Sequence, residues 1–240
     1  MGSDVALDAK IYQGKAKEVW STGDPERVVL RFTDAATAFN GVKKASIEEK
    51  GALNLAMSVK LFEVVEAAGV PTHVIRSLDA TDLLCHRVEI LPVEVVVRSV
   101  VAGSFARRYG LEEGAPLAEP LVELFHKSDA LDDPLVNDDA AIALGWARRW
   151  ELQCMKELAL QTHEALAAFW AAHGVVLVDA KYEFGRTAAG ALVLADELTP
   201  DGCRLWEEGT HRKLDKDVFR RDLADLGDTY RELHQRVFGS

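Results

Sequence analysis

Three charged side chains alternate with apolar ones in DAKYEF, directly after the apolar run VVLV that begins at Val175. Successive side chains of an extended chain point to opposite faces, so Asp179, Lys181 and Glu183 would share one face of a strand. Two carboxylates and an ammonium group placed together could bind a divalent cation and a phosphate group. A solvated edge strand with alternating charge is the alternative, and this stretch alone predicts the two equally.

A further carboxylate is predicted to return to the same place. GRTAAG is typical of a turn and ALVLADE of a returning strand, so the two strands are expected to form a hairpin that brings Asp196 toward Glu183. Both are hard oxygen ligands of the kind that hold Mg²⁺ together with a nucleotide phosphate. Protein kinases place an Asp-x-Lys motif and a metal-binding aspartate in a similar order.

Two lysines follow a glycine in GKAKE. Lys15 and Lys17 are two residues apart on a strand predicted through IYQGKAKEVW, so both ammonium groups would project from one face beside Gly14, where backbone can approach an anion. The chain has a formal net charge of −11, so an anionic ligand needs such a local cluster of cations. The motif therefore indicates a phosphate clamp, and the alternative is a pair of solvated lysines on an exposed hairpin.

An arginine near the end of a predicted buried strand precedes a glycine and a serine in RSVVAGS. The Arg98 guanidinium, the Ser104 hydroxyl and the N–H groups of a helix capped by Ser104 would suit a phosphate monoester. The alternative is an ordinary N-cap serine and a surface arginine. Other polar groups lie in loop-like sequence beside apolar residues: Lys127, Asp129, Asp133 and Arg204.

The elements that must position these groups follow from hydrophobic periodicity. A hairpin is expected from IYQGKAKEVW and RVVLRF, and a buried strand in LPVEVVVRSVV after Pro92. Shorter strands are predicted around residues 73–75 and 83–88. Helices are predicted over residues 53–68 and 147–172, and one amphipathic helix from Phe219 to Val237 closes the chain. This mixture excludes an all-helical or an all-β protein.

Composition excludes several classes of function. The 240 residues, 48% hydrophobic, fit one large domain or two joined lobes, and the acidic surface would repel a nucleic-acid backbone. No apolar run approaches the ~20 residues of a membrane helix, and MGSDVALDAK lacks the features of a signal peptide. Three widely spaced cysteines predict a reducing cytoplasm. The P-loop, G-x-G-x-x-G, G-x-S-x-G and H-E-x-x-H motifs are absent, and the histidines do not pair at metal-ligand spacing.

Taken together, the chain resembles the SAICAR synthetase family of purine biosynthesis, the phosphoribosylaminoimidazole-succinocarboxamide synthases. The segments that carry the resemblance keep the family's order: YQGKAKEVW, TAFNGVKKASIEEKGALN, LPVEVVVRSVVAGSFARRYG, HKSDALDDPLVN, GVVLVDAKYEFG and ADELTPDGCRLWEEGTHRKLDKDVFRRDL. The resemblance implies an α+β, two-lobed ATP-binding fold related to protein kinase and ATP-grasp folds. Its smaller, mainly antiparallel lobe would span residues 1–91 and its larger α/β lobe residues 92–240.

The resemblance also implies a reaction: ATP, the carboxylated aminoimidazole ribotide CAIR and L-aspartate give the succinocarboxamide SAICAR, ADP and phosphate. Lys15 and Lys17 would contact ATP phosphates, and the segment Cys85 to Leu91, with Cys85 and Ile90, would form the adenine hinge. Glu183 and Asp196 would bind both ATP and Mg²⁺. The ribotide phosphate would be bound by Arg98, Ser104 and Arg204. Asp133 would contact the ribotide and the transferring phosphoryl group, together with three residues that have catalytic roles, Lys127, Asp179 and Lys181.

Two positions depart from the family pattern, Ala180 where a phenylalanine is expected and Glu207 where an aspartate is expected. Neither removes an implied ligand. A small-molecule kinase with a base at Asp179 is the competing hypothesis, and a non-catalytic nucleotide-binding protein is a further one. We expect a homo-oligomer, with a dimer as the simplest form.

Overall fold

The computed structural model describes residues 5–38 and 43–239. Residues 1–4, residues 39–42, which belong to the segment TAFNGVKKASIEEKGALN, and residue 240 lie outside the described residues. In the described ranges no helix is long and apolar enough to cross a membrane.

The described residues form fourteen strands and six helices. The strands are β1 Leu7–Gln13, β2 Lys17–Thr22, β3 Arg27–Phe32, β4 Ala35–Ala38, β5 Lys43–Ser46, β6 Val74–Ser77, β7 Asp82–His86, β8 Glu89–Ile90, β9 Val93–Val100, β10 Pro116–His126, β11 Leu135–Val136, β12 Val175–Arg186, β13 Leu192–Ala195 and β14 Cys203–Glu207. The helices are α1 Lys50–Ala67, α2 Gly103–Tyr109, α3 Asp138–Ala143, α4 Arg149–Ala171, α5 Asp217–Arg220 and α6 Leu226–Phe238, with a 3-10 turn at Asp129–Leu131. The predicted α+β class is confirmed.

The first sheet has the strand order β1-β2-β3-β7-β6 and is antiparallel throughout. The prediction of a single strand through IYQGKAKEVW is wrong, because the chain turns back between β1 and β2. The Gly14 N–H donates to the Lys17 carbonyl at 2.8 Å and closes this turn. A glycine at a tight turn interrupts an otherwise extended pattern, so Lys15 lies in the turn and Lys17 begins the next strand.

The second sheet follows the order β11-β10-β9-β12-β13, and its long strand β12 also pairs with β8 and β14. In the antiparallel pair of β12 with β9, Asp179 lies opposite Arg98. In the predicted hairpin of β12 with β13, which is confirmed, Glu183 lies opposite Ala195. β12 is therefore the strand around which the polar residues of the sequence motifs are arranged.

Helices α1 and α4 pack against each other and against the sheets. α4 begins with a capping box, in which the Arg148 N–H donates to the Glu151 carboxylate, and Gly174 follows it with a positive φ of 68°. The main apolar core combines side chains of α1, α4, β9 and β12, including Phe62, Met155 and Val95. Burial of these faces is the main source of stability.

The division into lobes at residues 91 and 92 stays a prediction. The first sheet lies within residues 7–86, and the second sheet takes its strands from residues 89–207. α1, assigned by the sequence to the smaller lobe, contributes Phe62 and Val65 to the main core, while Leu55 packs under the first sheet.

Two local predictions are wrong at the residue level. Ser104 is not an N-cap, because Ala102 holds that position and Ser104 lies inside α2. The chain enters α2 at Gly103, whose φ of 57° favours glycine, and so the helix starts before the serine. Arg204 is not in a loop either, since it lies on β14 opposite Asp179 of β12.

The predicted single C-terminal helix is also wrong, because α5 and α6 are separate. Asp222 has a left-handed φ of 52°, and the Asp225 side chain accepts from the Asp228 N–H, which caps a new helix. Leu223, placed by periodicity on the buried face, is 54% exposed between them. Local capping chemistry overrides the hydrophobic spacing here.

Candidate active site

A cavity of about 470 Å³ opens between the β1–β2 turn, the start of β9, the middle of β12, the segments that follow β10 and β13, and α5. Its wall is strongly charged. The cations in it are Lys15, Lys17, Lys127, Lys181, Lys216 and Arg220. The carboxylates in it are Glu94, Asp129, Asp133, Glu183, Asp196, Glu197 and Asp201. Segments far apart in the sequence thus supply one charged site.

Glu183 lies at the centre of this charge network and is 3% exposed. It accepts hydrogen bonds from Lys127 and, at 2.7 Å, from Lys181. Lys181 also donates to Glu94 at 2.9 Å. Burial and the nearby Asp196 carboxylate raise the pKa of Glu183, but the surrounding lysines outweigh them and hold it below its usual value. The carboxylate is therefore charged at neutral pH.

Asp196 follows β13 directly, and its φ of 66° is in the left-handed region that non-glycine residues rarely adopt. The surroundings hold this conformation, because His73 Nε2 donates to the Asp196 carbonyl at 3.0 Å and Lys17 Nζ lies 2.7 Å from Asp196 Oδ1. Although burial raises the pKa of Asp196, Lys17 and the other lysines lower it well below its usual range. Strained backbone of this kind concentrates at functional sites.

Lys15 and Lys17 reach the same cavity from different elements. Lys17 is buried, and although burial lowers its pKa, Asp196 and Glu197 raise it above the usual value. Lys15 forms an ion pair with Asp129 at 2.7 Å. The two ammonium groups therefore have different carboxylate partners and do not share one face of a strand.

The carboxylates fit a hard divalent cation. Glu183 and Asp196 supply oxygen ligands, and the neighbouring Glu197 Oε2 is buried without a hydrogen-bond partner, 3.5 Å from Lys17 Nζ. Within residues 5–38 and 43–239, no group of three or more His, Cys, Asp or Glu side chains is arranged to hold a metal by itself. Such a donor set suits Mg²⁺, which commonly uses one or two carboxylates and completes its shell with phosphates and water.

A second polar cluster lies beside the cavity without lining it. Arg98 Nη1 donates to Asp179 Oδ2 at 2.7 Å, and Arg204 Nη1 donates to the same oxygen at 2.8 Å. Arg98 Nη2 also reaches Ser104 Oγ at 3.4 Å. A Cβ at Gly103 would lie 2.4 Å from the Arg204 guanidinium, so the glycine permits this approach. The residues predicted to hold a phosphate monoester are thus brought together around Asp179.

The remaining predicted site residues divide into two groups. Lys127 and Asp133 line the cavity, and Asp133 accepts from the Ser128 N–H at 2.8 Å. Cys85 and Ile90 do not line it. Cys85 lies on β7, and its side chain packs in the core of the first sheet. This burial raises the pKa of its thiol. It stays a prediction that the segment from Cys85 to Leu91 forms the adenine hinge.

Five charged residues of the cavity were not singled out from the sequence: Glu94, Glu197, Asp201, Lys216 and Arg220. A signal existed for Glu94, because a lone carboxylate within a β-branched buried strand is rarely without a partner. Glu197 adjoins Asp196 in the sequence. The other three come from polar stretches, where only the tertiary fold distinguishes them from surface charges.

The chain is similar in sequence and in fold to known proteins. A model of the SAICAR synthetase family matches residues 10–237. Phosphoribosylaminoimidazole-succinocarboxamide synthase of Deinococcus deserti is 50% identical over 226 residues, covering 94% of this chain and 95% of that protein. The synthase of the same name from Magnetococcus marinus is 49% identical over 230 residues, covering 95% of each chain. A solved SAICAR synthetase in complex with ADP has a TM-score of 0.92 at 44% identity, covering 95% of this chain and 97% of that chain.

Proposed function

The chain belongs to the SAICAR synthetase family, and we propose that it is a phosphoribosylaminoimidazole-succinocarboxamide synthase of purine biosynthesis. It is an ATP-dependent ligase that joins the CAIR carboxylate to the amine of L-aspartate and releases ADP and phosphate. One observation carries the proposal: the β12–β13 hairpin places Glu183 and Asp196 in one cavity with Lys17 and Lys181. That set matches the needs of a nucleotide triphosphate and its cation.

The chemistry explains why ATP is needed. A carboxylate is a poor electrophile, so an oxygen of the CAIR carboxylate first attacks the γ-phosphorus of ATP and ADP leaves. The amine of L-aspartate then attacks the resulting acyl phosphate, the amide bond forms, and phosphate departs with the carboxylate oxygen. No covalent enzyme nucleophile takes part, and the protein contributes positioning and charge.

The cavity residues have distinct roles in this proposal. Glu183 and Asp196 would hold Mg²⁺, which when bound neutralises charge on the nucleotide phosphates. Lys15 and Lys17 bind ATP phosphates, and Lys127 and Lys181 offset charge on the phosphoryl group as it moves. Lys181 is kept protonated for this role, since Glu183 and Glu94 outweigh the effect of burial and raise its pKa well above the usual value.

Asp179 acts as a positioning residue in this proposal rather than as a base. Its carboxylate is 3% exposed and is held by two guanidinium groups, those of Arg98 and Arg204. It orients both arginines toward the ribotide phosphate, which Ser104 also binds, while Asp133 binds the ribotide. A kinase would need a base that reaches a substrate hydroxyl, and a carboxylate bound in this way is poorly suited to that step.

Three further expectations belong to the proposal. Residues 1–91 and 92–240 form the two lobes, the protein acts in the cytoplasm, and it assembles as a homodimer. Free thiols at Cys85, Cys154 and Cys203 in the described structure support a reducing compartment. Light scattering of the purified protein measures the assembly, and a monomeric mass at micromolar concentration would contradict the dimer.

A coupled assay of ADP release tests the proposed function against the kinase alternative. We expect ADP to be formed at a steady rate only when ATP, Mg²⁺, CAIR and L-aspartate are all present. Omission of L-aspartate is the control, because a kinase acting on a hydroxyl of the ribotide would continue without it. ADP release at an unchanged rate in that control would contradict the ligase.

A further inference from the structure

A buried ion pair lies behind one wall of the cavity. Lys50 at the start of α1 is 0% exposed, and its ammonium donates to Asp201 Oδ2 at 2.7 Å. Tyr230 of α6 donates its hydroxyl to the other oxygen, Asp201 Oδ1, at 2.5 Å. Both oxygens of Asp201 are therefore already engaged by residues that do not line the cavity.

Lys216 lies on the cavity side of the same carboxylate. Its Nζ is 3.6 Å from Asp201 Oδ2, beyond a hydrogen bond, and among the described residues the structure gives this ammonium no hydrogen-bond partner. The residue is 6% exposed and lines the cavity. Burial lowers its pKa, and Asp201 does not restore it to the usual value. The ammonium is thus near one carboxylate but has no hydrogen-bond acceptor among the described residues, and a ligand in the cavity can supply that acceptor.

A second cation accompanies Lys216. Arg220 is four residues later, and its N–H donates to the Lys216 carbonyl at 3.0 Å, so the two side chains lie on one face of a helical turn. Arg220 also lines the cavity, and its Nη1 is bound to Asp217 Oδ1 at 2.6 Å, which fixes the guanidinium in place. Two cations thus face the cavity on the side of α5.

We propose that Lys216 and Arg220 bind the two carboxylates of L-aspartate, and that Lys50 is a positioning residue that keeps Asp201 occupied and so leaves Lys216 available to the substrate. This inference rests on the proposed function. The other anionic groups of the substrates are assigned elsewhere, ATP phosphates to Lys15 and Lys17 and the ribotide phosphate to Arg98, Ser104 and Arg204. The dicarboxylate of L-aspartate is the anion that remains for these two cations.

Steady-state kinetics of Lys216→Met test the substrate contact. We expect the KM for L-aspartate to rise about ten- to a hundredfold, because a charge-assisted hydrogen bond is lost, while the KM values for ATP and CAIR change less than about twofold. Lys213→Met is the matched control, since Lys213 is nearby on the chain but does not line the cavity. An unchanged KM for L-aspartate, or an equal rise in the KM for CAIR, would overturn the assignment.

The role of Lys50 is tested by a pair of variants. In Lys50→Met, Asp201 loses the Lys50 ammonium and binds Lys216 instead, so the KM for L-aspartate rises about tenfold or more with little change in the KM for ATP. In the double variant Lys50→Met/Asp201→Asn, the competing carboxylate is gone, and this KM returns to within about threefold of the wild-type value. A merely structural role predicts instead that the double variant keeps the defect, and that result would overturn the positioning role. If the single variant fails to fold, the double variant still tests the role by itself, because a KM for L-aspartate that stays tenfold or more above the wild-type value would overturn it.

A binding measurement separates this inference from the proposed function. Calorimetry with L-aspartate and with succinate, in the presence of a non-hydrolysable ATP analogue and CAIR, needs no turnover. We expect wild-type protein to bind both dicarboxylates and Lys216→Met to bind them at least tenfold more weakly. Equal binding by the two proteins would overturn the inference even where the wild type makes product. Absence of product with dicarboxylate binding retained would contradict the function and leave the contact intact.

Discussion

Four charged residues form one network around the β12–β13 hairpin: Lys181 and Glu183 within β12, Asp196 directly after β13, and Lys17 at the start of β2. Glu183, Asp196 and Lys17 are largely buried, Lys181 is half-buried, and both carboxylates face an ammonium group. Desolvating such charges costs several kcal/mol per ion, on the order of what their mutual attraction returns. Stability alone therefore does not explain the network, whereas the proposed binding of a metal nucleotide would explain it.

Glu183→Gln tests the role of this carboxylate. We expect turnover to fall at least about a hundredfold, because an amide oxygen is a poor ligand for Mg²⁺ and leaves the two lysines unmatched. The thermal unfolding midpoint should change little, since glutamine has nearly the same volume. The exposed Glu89 of β8 provides the control, and Glu89→Gln should keep wild-type activity. Wild-type-like activity in Glu183→Gln would refute the metal assignment.

Some of these residue assignments could be predicted from local spacing. Alternation in DAKYE correctly predicted neighbouring charges on one face, because side-chain direction in a strand is fixed by the backbone. Lys216 and Asp201 could not be predicted in this way. The roles proposed for them depend on the hydrogen bonds that Asp201 accepts from Lys50 of α1 and from Tyr230 of α6. No local sequence pattern predicts these long-range contacts.

Among the secondary-structure elements, β12 pairs with four other strands, β8, β9, β13 and β14. Gly185 is one of the residues through which it pairs with β8. A Cβ at Gly185 would lie 2.5 Å from Val88 Cγ2 and 2.8 Å from Val88 Cβ. Gly185 pairs directly with Ile90, and the Val88 side chain packs so closely over it that this position requires a residue without a side chain. The glycine of the EFG sequence is explained by packing.

Gly185→Ala should therefore destabilise the fold. We expect the free energy of unfolding to fall by about 1–3 kcal/mol, because Val88 must move to accommodate the methyl group. Denaturant titration followed by circular dichroism measures the loss. Gly23→Ala is the control, since nothing lies within 4 Å of a Cβ at that position. Equal stability of the two variants would show that β8 is not packed tightly against β12.

The elements were predicted well where the signal is local and strong. Helix α4 and the hairpin of β12 with β13 follow from periodicity and turn residues. The separation of α5 from α6 was missed, because the Asp225 cap and the left-handed Asp222 are set by side-chain hydrogen bonding rather than by hydrophobic spacing. The pairing of β14 with β12 was not predicted either, because the sequence of a strand as short as β14 does not indicate its long-range partner.

The whole molecule should lose stability at acidic pH through a buried histidine. Burial lowers the pKa of His163 from 6.5 to about 4, and its ring contacts Ser99 Oγ and the Tyr182 hydroxyl. The unfolded chain binds this proton more readily, so the free energy of unfolding falls as pH drops from 6.5 to about 4. At about 1.36 kcal/mol per pKa unit, the loss amounts to roughly 3 kcal/mol.

His163→Asn should remove most of that loss. Denaturant unfolding at a series of pH values compares the variant with wild type and with His86→Gln, which changes an exposed histidine. Part of the acid sensitivity should persist in the variant, because burial also lowers the pKa of His73 to about 4. An identical pH dependence in wild type and His163→Asn would contradict this account.

On the scale of the whole chain, the family and the α+β class could be predicted because several collinear segments carry the resemblance. The shape of the cavity could not be predicted, since its wall combines residues from Tyr12 to Arg220. Chain folding, rather than any one motif, brings the Lys17–Asp196 pair together across the two sheets.

Transfer of oxygen from CAIR to phosphate tests the central claim most directly. Protein incubated with ATP, Mg²⁺, L-aspartate and CAIR labelled with heavy oxygen in its carboxylate should yield SAICAR by mass and phosphate that carries one heavy oxygen. That result follows because the acyl phosphate retains the carboxylate oxygen when the amine displaces phosphate. Absence of SAICAR, or SAICAR formed with unlabelled phosphate, would contradict ligation through phosphoryl activation of the carboxylate.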